Sequence, residues 1–146
     1  MKMMRLGKTN YKVNKNGFGA LPIQRRNKKD SIEIIQKAYN NGINFYDTAR
    51  FYTDSEEKLG ASLNEVRENV IIATKTGAEN AEDFWKDLET SLKNLQTHFP
   101  IYKADVVIFK QIMWKFTSSI IFHFVLNLMT DQDFMKQCWK LKTKRK

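Results

Sequence analysis

GINFYDTARFYTDSEEKLG, residues 42–60, runs from an apolar segment (Ile43, Phe45) to Asp47 and into a loop carrying Arg50 and Tyr52. The chain then restarts as a helix behind Asp54 and Ser55. An acid at the end of a buried strand, with a tyrosine five residues on, has the pattern of a site rather than of packing. VIIATKTG, residues 70–77, repeats the arrangement with Lys75 at its strand end. The chemistry these three residues suit is proton donation. A free phenol, with a pKa near 10, is a poor acid at neutral pH. An ammonium beside it favours the phenolate and lowers that pKa, and a carboxylate paired to the ammonium fixes its position. Asp47, Lys75 and Tyr52 are then orienter, tuner and general acid. The same residues also suit a plainer reading, as a loop cap, a solvated strand end and a tyrosine packed on a rim.

The flanking sequence turns this stretch into a repeating unit. Residues 4–17 alternate weakly and carry turn residues at Gly7-Lys8-Thr9-Asn10 and Asn14-Lys15-Asn16-Gly17, which predicts an N-terminal hairpin. FGALPI, residues 18–23, reads as a short buried strand, and RRNKKD as a solvated loop before a helix start at Asp30 or Ser31. Ile32, Ile35, Ala38 and Tyr39 share a helical face that Asn40-Asn41-Gly42 ends. The strand over 43–48 precedes a helix whose Leu59, Leu63 and Val66 fall on one side. The strand over 70–74 precedes a helix over 81–96 with Asn80 as its cap and Phe84, Leu88, Leu92 and Leu95 as its buried stripe. Gly17, Ile43 and Asn69, which lead the strands, are 26 residues apart each time. Strands alternating with helices at this spacing mean βα units and a parallel sheet, whose sites lie at the carboxyl ends of the strands. Asp47 and Lys75 both sit there.

Composition limits the rest. The chain has 146 residues, too few for a closed eight-unit barrel of roughly 250. Its net charge of +9 invites nucleic-acid or membrane readings, but the charge is uneven. Residues 1–97 hold 16 Lys and Arg against 13 Asp and Glu, whereas residues 98–146 hold 9 against 3. The lone Cys138 excludes an internal disulfide and a cysteine zinc site and suits a reducing compartment. The start, MKMMRLGK, lacks the apolar core of a signal peptide. The longest apolar run, residues 120–129, is half of the roughly 20 residues a membrane span takes. A soluble cytoplasmic protein with no metal site is expected.

At GFGALPI, GINFYDTARFYTDSEEKLG, VIIATKTG and DLETSLKNLQT the chain resembles the aldo-keto reductases, almost without a gap over residues 4–97. The resemblance implies a (β/α)8 barrel that transfers hydride from NADPH to an aldehyde or ketone. By resemblance Asp47, Tyr52 and Lys75 match three members of the family's catalytic tetrad of Asp, Tyr, Lys and His. Cofactor-binding residues implied in the same way are Asp47 and Thr48, with Gly19 and Ala20 at the first strand end. No residue matches the histidine. His98 stands where the family has an acid, and His123 lies within the apolar run IIFHFVLNL.

The chain changes character after Thr97. Residues 98–146 contain no glycine and no glutamate, yet hold half of all the aromatic residues. Turns need glycine, so no well-formed βα continuation is expected there. The expected organisation is an N-terminal part of the barrel, residues 1–97, with a hairpin and about three βα units. A basic, aromatic and irregular tail, residues 98–146, follows. The tail admits an out-of-frame reading. Starting each codon one nucleotide earlier, Met135-Lys136 and Trp139-Lys140 force glutamate and Cys138-Trp139 forces leucine, which permits YEAMLEAK. The same shift over residues 109–121 permits QTDYVEIYQFHN; the twelve residues 98–109 have no place in it. Three parallel strands cannot close a barrel, so self-association through the open edge, marginal stability and little or no activity are expected. The competing class is a non-enzymatic module in which Trp114, Phe116, Phe134 and Trp139, interleaved with basic residues, meet nucleic acid or an anionic membrane.

Overall fold

The computed structural model describes residues 2–7, 11–97 and 106–110. Strands β1 (Met3–Arg5) and β2 (Lys12–Asn14) form the expected hairpin as a two-stranded sheet. A second, parallel sheet holds β3 (Phe18–Gly19), β4 (Phe45–Asp47), β5 (Ile71–Thr76) and β6 (Val106–Lys110) in that order. Helix α1 (Lys28–Asn40) joins β3 to β4, α2 (Ser55–Leu63) joins β4 to β5, and α3 (Ala81–Asn94) follows β5. Residues 1–4 and 13–112, with this sheet, make one compact unit. The end of the hairpin belongs to a second unit, in which the Leu6 N–H donates to the Tyr11 carbonyl at 2.9 Å.

Register fixes which residues share a face. Tyr46 pairs with Ile72 and Asp47 with Ala73, so Tyr46 and Ile72 point to one side and Asp47, Ala73 and Lys75 to the other. The first side meets the helices and carries the core. Ile35 of α1, Leu59 and Leu63 of α2, and Leu88, Leu92 and Leu95 pack there against Tyr46 and Ile72. Burying each such side chain contributes about 1.5–3 kcal/mol, which is what holds short helices on a short sheet.

Several boundaries differ from the expected ones for local reasons. The strand expected over 18–23 is only two residues long, because Pro22 enters a 3-10 turn, Leu21–Arg25, whose fixed φ suits a helical start. Helix α1 begins earlier than Asp30: Asn27 caps it, its side-chain oxygen accepting from the Asp30 N–H at 2.9 Å. The stripe Leu59, Leu63, Val66 is not one continuous helix. It ends at Leu63 and a 3-10 segment, Asn64–Asn69, takes over, with Val66 at non-helical angles.

The largest correction lies past Thr97. β6 pairs with β5 in parallel, Ile72 with Val106 through Thr76 with Lys110, where no continuation of the βα pattern was expected. The absence of glycine was a poor guide, since VVIFK has the β-branched and aromatic content that a pleated, buried strand favours. Part of the segment that the shifted reading left without a place therefore forms sheet. His98, His123, Cys138 and the tail residues Trp114, Phe116, Phe134 and Trp139 lie outside the described residues, as does nearly all of the shifted reading.

Candidate active site

Asp47 ends β4 and Lys75 lies two residues beyond its register partner on β5, on the same face. A four-carbon side chain spans that offset. The Lys75 ammonium donates to Asp47 Oδ1 at 2.8 Å, to Oδ2 at 2.9 Å and to the Thr48 carbonyl at 2.6 Å. Three donors on three acceptors fix the nitrogen in place. Tyr52 reaches the same nitrogen from the β4–α2 loop, its ring centroid 5.4 Å from Lys75 Nζ, within cation–π range. Phe51 packs edge-on against that ring with centroids 5.2 Å apart. The three residues read from the strand ends thus stand together.

Their electrostatics differ from the expected pattern. The Tyr52 hydroxyl is pushed above its usual pKa near 10, first by burial and then by the Asp47 carboxylate. The Lys75 ammonium lies over the face of the ring and is paired with the Asp47 carboxylate. Among the described residues no hydrogen bond joins Lys75 to the Tyr52 hydroxyl.

The other implied residues divide. Gly19 pairs with Asp47 across β3 and β4, and a Cβ built on it would meet nothing within 4 Å. A flat ring can approach the backbone there, beside a carboxylate and an ammonium, so these residues fit a nicotinamide. Ala20 and Thr48 are fully buried. The Ala20 N–H donates to the Asp47 carbonyl at 2.8 Å, and the Thr48 hydroxyl lies 2.9 Å from Ser55 Oγ. Ser55 spends its own proton on the Ala20 carbonyl at 3.1 Å, so Thr48 is the donor in that pair. Their side chains brace the strand ends from the helix side.

The chain also matches known proteins. A profile of the Aldo/keto reductase family covers residues 15–112. The chain belongs to that family. Its parallel sheet and helices are part of an aldo-keto reductase (β/α)8 barrel. An aldo-keto reductase structure from Bacillus halodurans superposes with a TM-score of 0.66 at 21% identity, covering 76% of this chain and 50% of that one. The L-galactose dehydrogenase of Arabidopsis thaliana is 33% identical over 114 residues, 68% of this chain and 36% of that protein. The versiconal hemiacetal acetate reductase of Aspergillus parasiticus is 35% identical over 108 residues, 64% and 32%. The chain thus spans about a third of the length of these two relatives. Aldo-keto reductases are oxidoreductases of small carbonyl compounds that generally use NAD(P)H. No helix among the described residues is long and apolar enough to cross a membrane.

Sequence reading missed a second cluster behind the site. Glu56, 1% exposed, accepts from the Thr74 hydroxyl at 2.7 Å, from Arg50 Nη1 at 3.2 Å and from Asn94 Nδ2 at 3.2 Å. In the sequence Glu56 looks like a solvated acid of a helix's first turn. A threonine inside the apolar run VIIAT was the one available signal.

Proposed function

We propose that this chain carries the proton-donating half of an NADPH-dependent carbonyl reductase, with Tyr52 as general acid and Asp47 and Lys75 as its support. The observation that carries the reading is Lys75 Nζ, held by both Asp47 oxygens, beneath the Tyr52 ring. A nicotinamide, when bound, supplies the hydride. Gly19 would leave room for it and Asp47 would stand beside it, while Ala20 and Thr48 hold the strand ends in place. Tyr52 donates its hydroxyl proton to the substrate carbonyl oxygen. Its raised pKa keeps that proton on the phenol throughout the neutral range. Positioning a cofactor takes binding groups from several strand ends, and the described residues supply two. Carbonyl reduction by this chain alone is therefore slow or absent. Its setting is the cytoplasm, which a lone Cys138 suits.

The test is NADPH oxidation with an aromatic aldehyde, comparing the chain with its Tyr52→Phe variant. Slow oxidation that Tyr52→Phe abolishes supports the reading, and its rate should fall only above about pH 10. Oxidation unchanged in Tyr52→Phe would remove Tyr52 from the chemistry. Turnover at the tens per second of ordinary enzymes would overturn the claim that the site is incomplete.

A further inference from the structure

We infer that Glu56 is a positioning residue that holds Tyr52 over Lys75 through Arg50; this deepens the reading of Tyr52 as the acid and rests on it. The Tyr52 loop is held by backbone bonds at its ends, among them the Ser55 N–H donating to the Tyr52 carbonyl at 2.8 Å, and these leave the direction of the Tyr52 ring to the side chains around it. Its Arg50 N–H donates to the Lys75 carbonyl at 2.8 Å, and the Tyr52 N–H closes a local turn on the Ala49 carbonyl at 3.0 Å. The Arg50 guanidinium then reaches Glu56 Oε2 at 3.2 Å. Arg50 thus joins the loop to β5 by its backbone and to α2 by its side chain, two residues before the phenol.

Glu56 is suited to this hold because its carboxylate cannot leave. It is buried in the first turn of α2, where the helix's free N–H groups favour an anion. Thr74 holds Oε1 from β5, the strand that carries Lys75, and Asn94 holds Oε2 from α3. A carboxylate accepts all three donors. A glutamine in its place can keep its oxygen on Arg50 and Asn94 only by turning its amide toward the Thr74 hydroxyl, which must then accept instead of donate, and it loses the negative charge that holds the guanidinium. Glu56 therefore references the loop to the strand bearing Lys75, and the ring-to-ammonium distance follows from that link.

The test reads this distance directly and needs no turnover. In full-length chain labelled with ¹³C at lysine Cε, the Tyr52 ring shifts the Lys75 εCH2 resonance upfield; Lys75→Arg assigns the signal and Tyr52→Leu gives its ring-free position. Glu56→Gln and Arg50→Met are each expected to move the signal at least halfway to the ring-free position, with the far-UV circular dichroism unchanged. Arg50→Lys, which keeps a donor cation, is expected to restore most of the shift. Arg50 is partly exposed, so Arg50→Met remains folded and decides the matter if Glu56→Gln does not fold. A folded Arg50→Met chain with the parent's Lys75 shift overturns the inference. A parent chain with no Tyr52-dependent shift overturns both this inference and the proposed acid site. A shift that is present, and lost in Arg50→Met, in a chain whose oxidation of NADPH ignores Tyr52 overturns the reductase reading alone.

Discussion

Thr53, next to Tyr52, adopts φ 39°, the left-handed region that costs a side-chain-bearing residue about 1–2 kcal/mol. Glycine adopts it freely but loses more entropy on folding, about 0.5–1 kcal/mol. Thr53→Gly should therefore stabilise the chain by a few tenths to about 1 kcal/mol, read as a higher urea midpoint at unchanged slope. A lower midpoint would mean that the threonine's contacts outweigh its backbone strain. At this scale the sequence showed which residues meet but not how they titrate. Asp47, Tyr52 and Lys75 were legible because strand ends converge in any parallel sheet. The direction of the Tyr52 shift was not, since it depends on burial and on where the ammonium sits relative to ring and hydroxyl.

Gly60 in the middle of α2 lies against the backbone of α3, and a Cβ there would overlap the Asn94 carbonyl and touch the Leu95 backbone at 3.0 Å. In an isolated helix Gly→Ala stabilises by about 1 kcal/mol. Here the obstacle is backbone and cannot swing aside, so Gly60→Ala should destabilise by about 1–3 kcal/mol, measured by urea unfolding. A gain in stability would show that the two helices separate at little cost. Caps illustrate what was legible at the level of elements. Asn80 was read as the cap of α3, and its side-chain oxygen accepts from the Asp83 N–H at 2.9 Å. Asp54 precedes α2 as expected but makes no cap bond. Its carboxylate pairs with Lys58 at 2.8 Å, while that ammonium also holds the Ile23 and Arg26 carbonyls at the end of the 3-10 turn. A cap on a short sequence pattern is a local choice, and a distant pair of carbonyls outbid it here.

At the scale of the molecule, alkali acts on a core residue among those described as well as on the site. Tyr46 is fully buried, its hydroxyl donating to the Ile43 carbonyl at 3.1 Å. Burial, and then the charge that Tyr39 acquires, push its pKa well above the usual 10. A folded pKa above the unfolded one means that the folded state keeps its proton longer. The stability this represents is complete below about pH 10 and is lost as pH rises further, at up to about 1.4 kcal/mol per pH unit. Tyr52 shifts in the same direction and adds to the loss. Urea midpoints measured from pH 8 to about pH 11 should fall less steeply in Tyr46→Phe than in the parent. Tyr46→Phe itself should cost about 0.5–1.5 kcal/mol at neutral pH through the lost hydrogen bond. Equal alkaline slopes would show that other groups govern the fall.

Apolar spacing and turn chemistry in the sequence were enough to determine the βα order, the parallel sheet, and an acid and an amine on neighbouring strand ends. These follow from interactions between residues close along the chain, together with the twofold alternation of a strand. Only the tertiary structure decided that Glu56 is buried under Arg50, Thr74 and Asn94, that Tyr52 holds its proton more tightly, and that residues 106–110 extend the sheet. Each of these depends on segments far apart in sequence excluding water from one another, and the loss of water is what sets the energy of a buried charge.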